Sequence, residues 1–75
     1  MKIALMLRFD QDSLQDVSAF MGPLAEEKAK AAFLDYTGVT YDDYTKRRIE
    51  GPEDDIDILG EDHAGSTILI VEAEN

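Results

Sequence analysis

Cysteine and tryptophan are absent from this chain, histidine occurs once, and no lysine or arginine follows Arg48. Without cysteine there is no disulfide, and thiolate-held zinc and iron–sulfur sites are excluded. The single histidine, His63, has no serine or cysteine beside it in a recognisable nucleophile motif. The one glycine-bounded loop, GEDHAG at 60–65, carries carboxylates where a phosphate-binding loop would need open backbone amides. No apolar run approaches membrane-spanning length, and the run Ile3–Leu7 is broken by Arg8 and Asp10 with no small-residue cleavage site behind it. These absences lead to the expectation of a cytoplasmic, cofactor-free protein that is neither an enzyme nor membrane-bound.

What is present is 75 residues, 44 % of them apolar, enough for one small core spanning 1–75 as a single domain. The charge is lopsided. Residues 1–49 hold eight acids and all seven bases, whereas residues 50–75 hold nine acids and no base, which accounts for nearly all of the net −10. An anionic field of this kind repels nucleic acid and anionic membranes and favours cationic partners.

Periodicity sets the expected elements. Residues 2–9 alternate, with Ile3, Leu5, Leu7 and Phe9 forming a fully apolar face and Lys2, Ala4, Met6 and Arg8 a mixed one, as a strand requires. Leu14, Val17, Phe20 and Met21 recur at helical spacing behind a possible Asp12 or Ser13 cap, which predicts a helix with that stripe in the core. Pro23 is placed to open a second helix, running to Gly38, with Leu24, Ala25, Ala29, Ala32, Phe33 and Tyr36 as its apolar stripe. Thr40 is placed to cap a third, with Asp42 and Asp43 in its first turn and Lys46, Arg47 and Arg48 near its end, before Gly51-Pro52. DDIDIL alternates and STILIVEAE is apolar on both faces, which predicts a closing hairpin with the last strand inside the sheet. The expected architecture is α+β: β-α-α-α-β-β, a short antiparallel or mixed three-stranded sheet with helices packed on one face.

The acidic segment invites three functional readings. As a calcium loop it fails, because a register starting at Asp55 puts Leu59 at position 5 and Ser66 at position 12. Glu61, Asp62 and His63 are adjacent in sequence, and three adjacent exposed side chains seldom converge on one ion, so no metal site is expected. As an acid–base pair, Asp55 and Asp57 would be exposed and alike, whereas catalysis needs environments that separate their pKa values. As a recognition surface, Glu50, Glu53, Asp54, Asp55, Asp57, Glu61 and Asp62 form a row of carboxylates, with Asp55 and Asp57 roughly 6.8 Å apart on a strand.

Such a row can occupy the lysine and arginine contacts that a protein uses for nucleic-acid phosphates. The expected partner is therefore the basic surface of a nucleic-acid-binding protein, with no direct contact to nucleic acid. In size and composition the chain is comparable to phage and mobile-element inhibitors, DNA mimics and anti-CRISPR proteins included. A plain solubilising role for the acids is the competing explanation. Tyr41 and Tyr44, i,i+3 neighbours on that helix with Arg47 and Arg48 a turn later, are a second candidate contact, since tyrosine and arginine are enriched at interface hot spots. Arg47 and Arg48 can also pair with the acidic segment of a second copy, and through that helix or the sheet edge the chain would be a structural or regulatory homo-oligomer, a homodimer in the simplest case.

Overall fold

The computed structural model describes residues 1–72. Its first element is the expected strand, β1 (Lys2–Asp10), and the chain reverses at once into a second strand, β2 (Ser13–Met21). Gln11 and Asp12 make the reversal with φ values of +49° and +69°. Two left-handed residues are what a two-residue loop needs to match the right-handed twist of the strands it joins. The helix expected over 14–21 is thus corrected: Ser13–Met21 is zipped by the turn onto β1, and local helical spacing gives way to cross-strand pairing. Ile3 lies opposite Met21, Leu5 opposite Ala19 and Leu7 opposite Val17. The register shifts between Arg8 and Phe9, where Gln15 is skipped and Phe9 meets Leu14. Such a bulge bends the strand and increases its twist.

Helix α1 (Ala25–Thr37) starts two residues after Pro23, and Leu24 at its N-cap makes no side-chain capping bond. Ala25, Ala29 and Phe33, each four residues apart, form its buried stripe, whereas Leu24 stays exposed. Gly38 closes the helix at φ +78°, its amide donating to the Leu34 carbonyl at 2.8 Å. Helix α2 (Tyr41–Glu50) begins as expected at Thr40, whose hydroxyl accepts from the Asp43 amide at 3.2 Å, and ends at Gly51.

The expected closing hairpin does not form. DIDIL is a short helix, α3 (Asp55–Leu59), opened by a reciprocal capping box in which Asp54 accepts from the Asp57 amide and Asp57 from the Asp54 amide. The last strand, β3 (Thr67–Glu72), pairs antiparallel with β1, so the sheet order is β2-β1-β3. β3 is consequently an edge strand and β1 the central one, which corrects the interior position expected for residues 68–71. Residues 73 and 74 of that expected strand lie outside the described residues. The α+β class and the three-stranded sheet stand, with the element order ββαααβ in place of βαααββ.

The helices cover one face of the sheet. Ala4, Met6 and Ile68 point into the layer where Ala25, Ala29 and Phe33 of α1 arrive, and Tyr44, Ile58 and Leu59 complete the cluster. The mixed face of β1 is therefore the covered one, because alanines at 4, 25 and 29 let helix and sheet approach closely. Ile3, Leu5 and Leu7 line the opposite face, with Val17, Met21, Leu69 and Val71 exposed beside them. Among the described residues no helix is long and apolar enough to cross a membrane.

Candidate functional site

Four of the acids singled out in the sequence are tied into the chain's own structure. Asp54 and Asp57 cap α3. Asp55, placed by α3 against α2, accepts from the Tyr44 hydroxyl and the Gly65 amide, with Arg48 at 3.6 Å. Glu53 takes a two-pronged contact from Arg47, Nε at 2.5 Å and Nη2 at 2.9 Å. That hydrogen-bonded guanidinium holds the Glu53 carboxyl below the usual carboxylate range, and Glu53 in turn raises Arg47 further. The expected strand spacing of Asp55 and Asp57 is replaced by two positions on one helical turn.

The tyrosines face inward. Tyr44 is 2 % exposed, stacked obliquely on Phe33 at 5.3 Å, and burial together with its bond to Asp55 pushes the phenol up to about 12. Tyr41 meets Phe33 edge-on at 4.9 Å and its hydroxyl donates to the Ile68 carbonyl of edge strand β3 at 3.3 Å. Arg47 and Arg48, which the sequence offered to a second copy, are engaged by Glu53, Tyr44 and Asp55 of the same chain.

What the fold does bring together is an acidic pole. The β1–β2 turn and the loop between α3 and β3 meet at one end of the sheet, joined by a hydrogen bond from the Gln11 amide to the Asp62 carbonyl at 3.2 Å. Asp10 at the end of β1, Asp12 in the turn, and Glu61 and Asp62 in the loop are all exposed there. Neither loop contains a lysine or arginine. Between them opens a cleft of about 380 Å³ lined by Gln11, Asp12, Ile56, Glu61 and Ala64. Ile56, which the alternation of DDIDIL would turn inward on a strand, is instead half-exposed at the wall of this cleft.

The pole is braced from below. The Tyr36 hydroxyl donates to the Phe9 carbonyl at 2.7 Å, and its ring packs 4.5 Å from the His63 imidazole. Ser66, fully buried, accepts from the Phe9 amide at 3.0 Å. Both loops are thereby fixed to the end of β1. Among the described residues no group of three acids or histidines converges in a way that could hold a metal ion.

Of the expected site, Glu61 and Asp62 reach the pole, Glu50 stands apart and exposed at the end of α2, and Glu53, Asp54, Asp55 and Asp57 serve the α2–α3 junction. Asp10 and Asp12 were missed. The signal available for them was the dipeptide Gln11-Asp12 directly after an alternating strand, which admits a tight turn as readily as a helix cap. No family model, curated protein or solved structure matches the chain.

Proposed function

We propose that this chain is a binding protein whose acidic pole docks on the basic, nucleic-acid-binding surface of another protein and blocks it. The reading is supported chiefly by four exposed carboxylates at one end of the sheet, Asp10 at the end of β1 and Asp12, Glu61 and Asp62 on two loops that are hydrogen-bonded to each other and contain no base. Carboxylates held on a fixed frame present acceptor oxygens to arginine and lysine without ordering a flexible tail on binding. The inhibition is competitive and without turnover: association is steered by charge, and affinity falls as salt shortens the reach of the field. Ile56 supplies a small apolar contact inside the charged rim. This is the phage or mobile-element type of inhibitor in its physical principle, of which anti-CRISPR proteins and DNA mimics are examples.

The test is capture of proteins on the tagged chain from a bacterial lysate at about 0.1 M and about 1 M salt, where screening differs severalfold. The comparison is with the triple variant Asp12→Lys, Glu61→Lys, Asp62→Lys, which spares the acids that hold α3. A nucleic-acid-binding protein retained at low salt, displaced by added DNA and lost on charge reversal supports the reading. Equal retention by both chains, or a partner indifferent to DNA, ends it.

A further inference from the structure

Among the described residues, none of the core cluster lies on the face of the sheet turned away from the helices. Leu5 lies at its centre, with Val17 and Met21 on β2 and Leu69 and Val71 on β3 around it. Those four flanking side chains are 46, 60, 49 and 44 % exposed, in that order. From Ile3 to Leu7 and across both neighbouring strands, no charged residue occupies a register position on this face, although the chain carries a net −10.

We propose that this open face is the interface of a symmetric homodimer, two copies stacking sheet on sheet with the two-fold axis across the strands. Area is the first argument. The face presents on the order of 500 Å² of apolar surface, so two copies bury on the order of 1,000 Å², the size at which specific interfaces begin. A patch of that size is at the upper end of what a monomer leaves in water.

Charge is the second argument and selects the occupant. A neutral face needs no complementary charge in its partner, so the same face on another copy satisfies it, as an isologous contact requires. Two aligned sheets interdigitate their inner side chains about 10 Å apart, and the acids of both copies remain outside. Charge also selects the axis. An axis along the strands would set the two Asp10–Asp12 turns side by side, whereas an axis across them puts the acidic poles at opposite ends of the dimer. That axis passes over the central row, so Ala19 of one copy faces Ala19 of the other.

The inference is independent of the acidic-pole reading, since it uses none of those residues. The test is molar mass by sedimentation equilibrium between about 1 μM and about 1 mM, the span of weak to moderate association. A rise from 8.4 kDa towards twice that value is expected. Val17→Lys and Leu69→Lys, at exposed positions, weaken the dimer by at least about a hundredfold, because each buries an unpaired ammonium in the contact. Melting curves establish that these variants fold. A second measurement needs no disruptive change: in this cysteine-free chain, Ala19→Cys couples to itself through a short thiol crosslinker, and Ile49→Cys, 83 % exposed on α2, does not. A constant 8.4 kDa at every concentration, a dimer indifferent to both lysines, or no preference for Ala19→Cys over Ile49→Cys overturns the proposal. So does a foreign protein that binds this face while the chain itself stays monomeric.

Discussion

The Tyr44 hydroxyl donates to the Asp55 carboxylate and so fastens the buried ring of α2 to the first turn of α3. The other Asp55 oxygen accepts from the Gly65 amide, just before β3 begins. One carboxylate therefore joins α2, α3 and the chain entering β3.

Replacing Asp55 by alanine strands the buried Tyr44 hydroxyl, whereas the Gly65 amide, on an exposed residue, can turn to water. An unsatisfied buried donor costs about 1–3 kcal/mol, and Asp55→Ala is expected to lower stability by about 2–3 kcal/mol in urea denaturation. Tyr44→Phe takes a donor from Asp55 and an acceptor from Arg48, but these two remain beside each other and Asp55 keeps the Gly65 amide, so it costs less, about 1 kcal/mol. Equal losses from the two variants would show that the junction is held by packing alone.

Alkali tests the same contact. Burial and the bond to Asp55 hold the Tyr44 phenol up at about 12, against an ordinary value of 10.0. A folded-state pKa above the unfolded one favours the protonated form, so this contribution is complete below about pH 10 and is lost as pH rises towards 12. Tyr44→Phe is expected to flatten the decline of stability in that window and to remove the step near 12 from the tyrosinate absorbance titration. A wild-type decline that persists in the variant assigns the alkaline loss to other groups.

The elements that the sequence made legible are those with a long period or an explicit cap. β1 was visible in eight alternating residues, α1 in its Ala, Glu and Lys content, and α2 in Thr40. β2 was hidden because Leu14, Val17, Phe20 and Met21 fit a helix locally, while the deciding interaction is with β1, across a turn lacking the usual asparagine and glycine. In α3 the alternation of Ile56 and Ile58 suits a strand, and over five residues period cannot separate the two; the Asp54–Asp57 box was the better signal. The candidate site shifted for the same reason. Once residues 55–59 are helical, Asp55 turns to α2 and the next loop and Asp57 caps its own helix, which leaves Asp12, Glu61 and Asp62 exposed on the two loops.

That unfavoured turn offers a simple gain. Gln11 and Asp12 both stand in the left-handed region, which costs an ordinary L-residue about 1–2 kcal/mol. Gln11→Asn with Asp12→Gly supplies the pair that this geometry prefers, and the expected result is a chain more stable by about 1 kcal/mol. Gln11→Val should move the other way by a similar amount. A thermal melt unmoved by either variant would mean that the turn tolerates another backbone geometry without loss.

Gly65 is held by its surroundings as well as its backbone. It stands at φ +98°, and a Cβ there would lie 3.2 Å from the Phe9 ring. Strain and overpacking together set the expected cost of Gly65→Ala at about 2–4 kcal/mol. Gly38→Ala, left-handed but facing open space, should cost only about 1 kcal/mol. A comparable loss at both sites would rule out the ring contact as a separate contribution.

The Arg47–Glu53 pair sets the behaviour in acid. Arg47, hydrogen-bonded to Glu53 at 2.5 Å and 2.9 Å, keeps that carboxyl below its ordinary range. A folded-state pKa below the unfolded one favours the ionised form. The contribution is therefore present above the ordinary glutamate range of about 4.3 and is lost as pH falls through the lower folded value. Glu53→Gln removes the charge at every pH, so its melting temperature should lie below that of the parent at neutral pH and the two should converge in acid. Both partners are partly exposed, so added salt should narrow the neutral-pH gap as well. A gap that stays constant from neutral pH into acid would show that the glutamine disturbs packing at Gly51–Asp54 rather than a charge pair. Because Glu53 fixes the segment that leads into α3, and α3 leads directly into the Glu61–Asp62 loop, the same variant reports whether the acidic pole depends on that brace: an independent pole leaves the proposed docking on a basic protein unchanged at neutral pH.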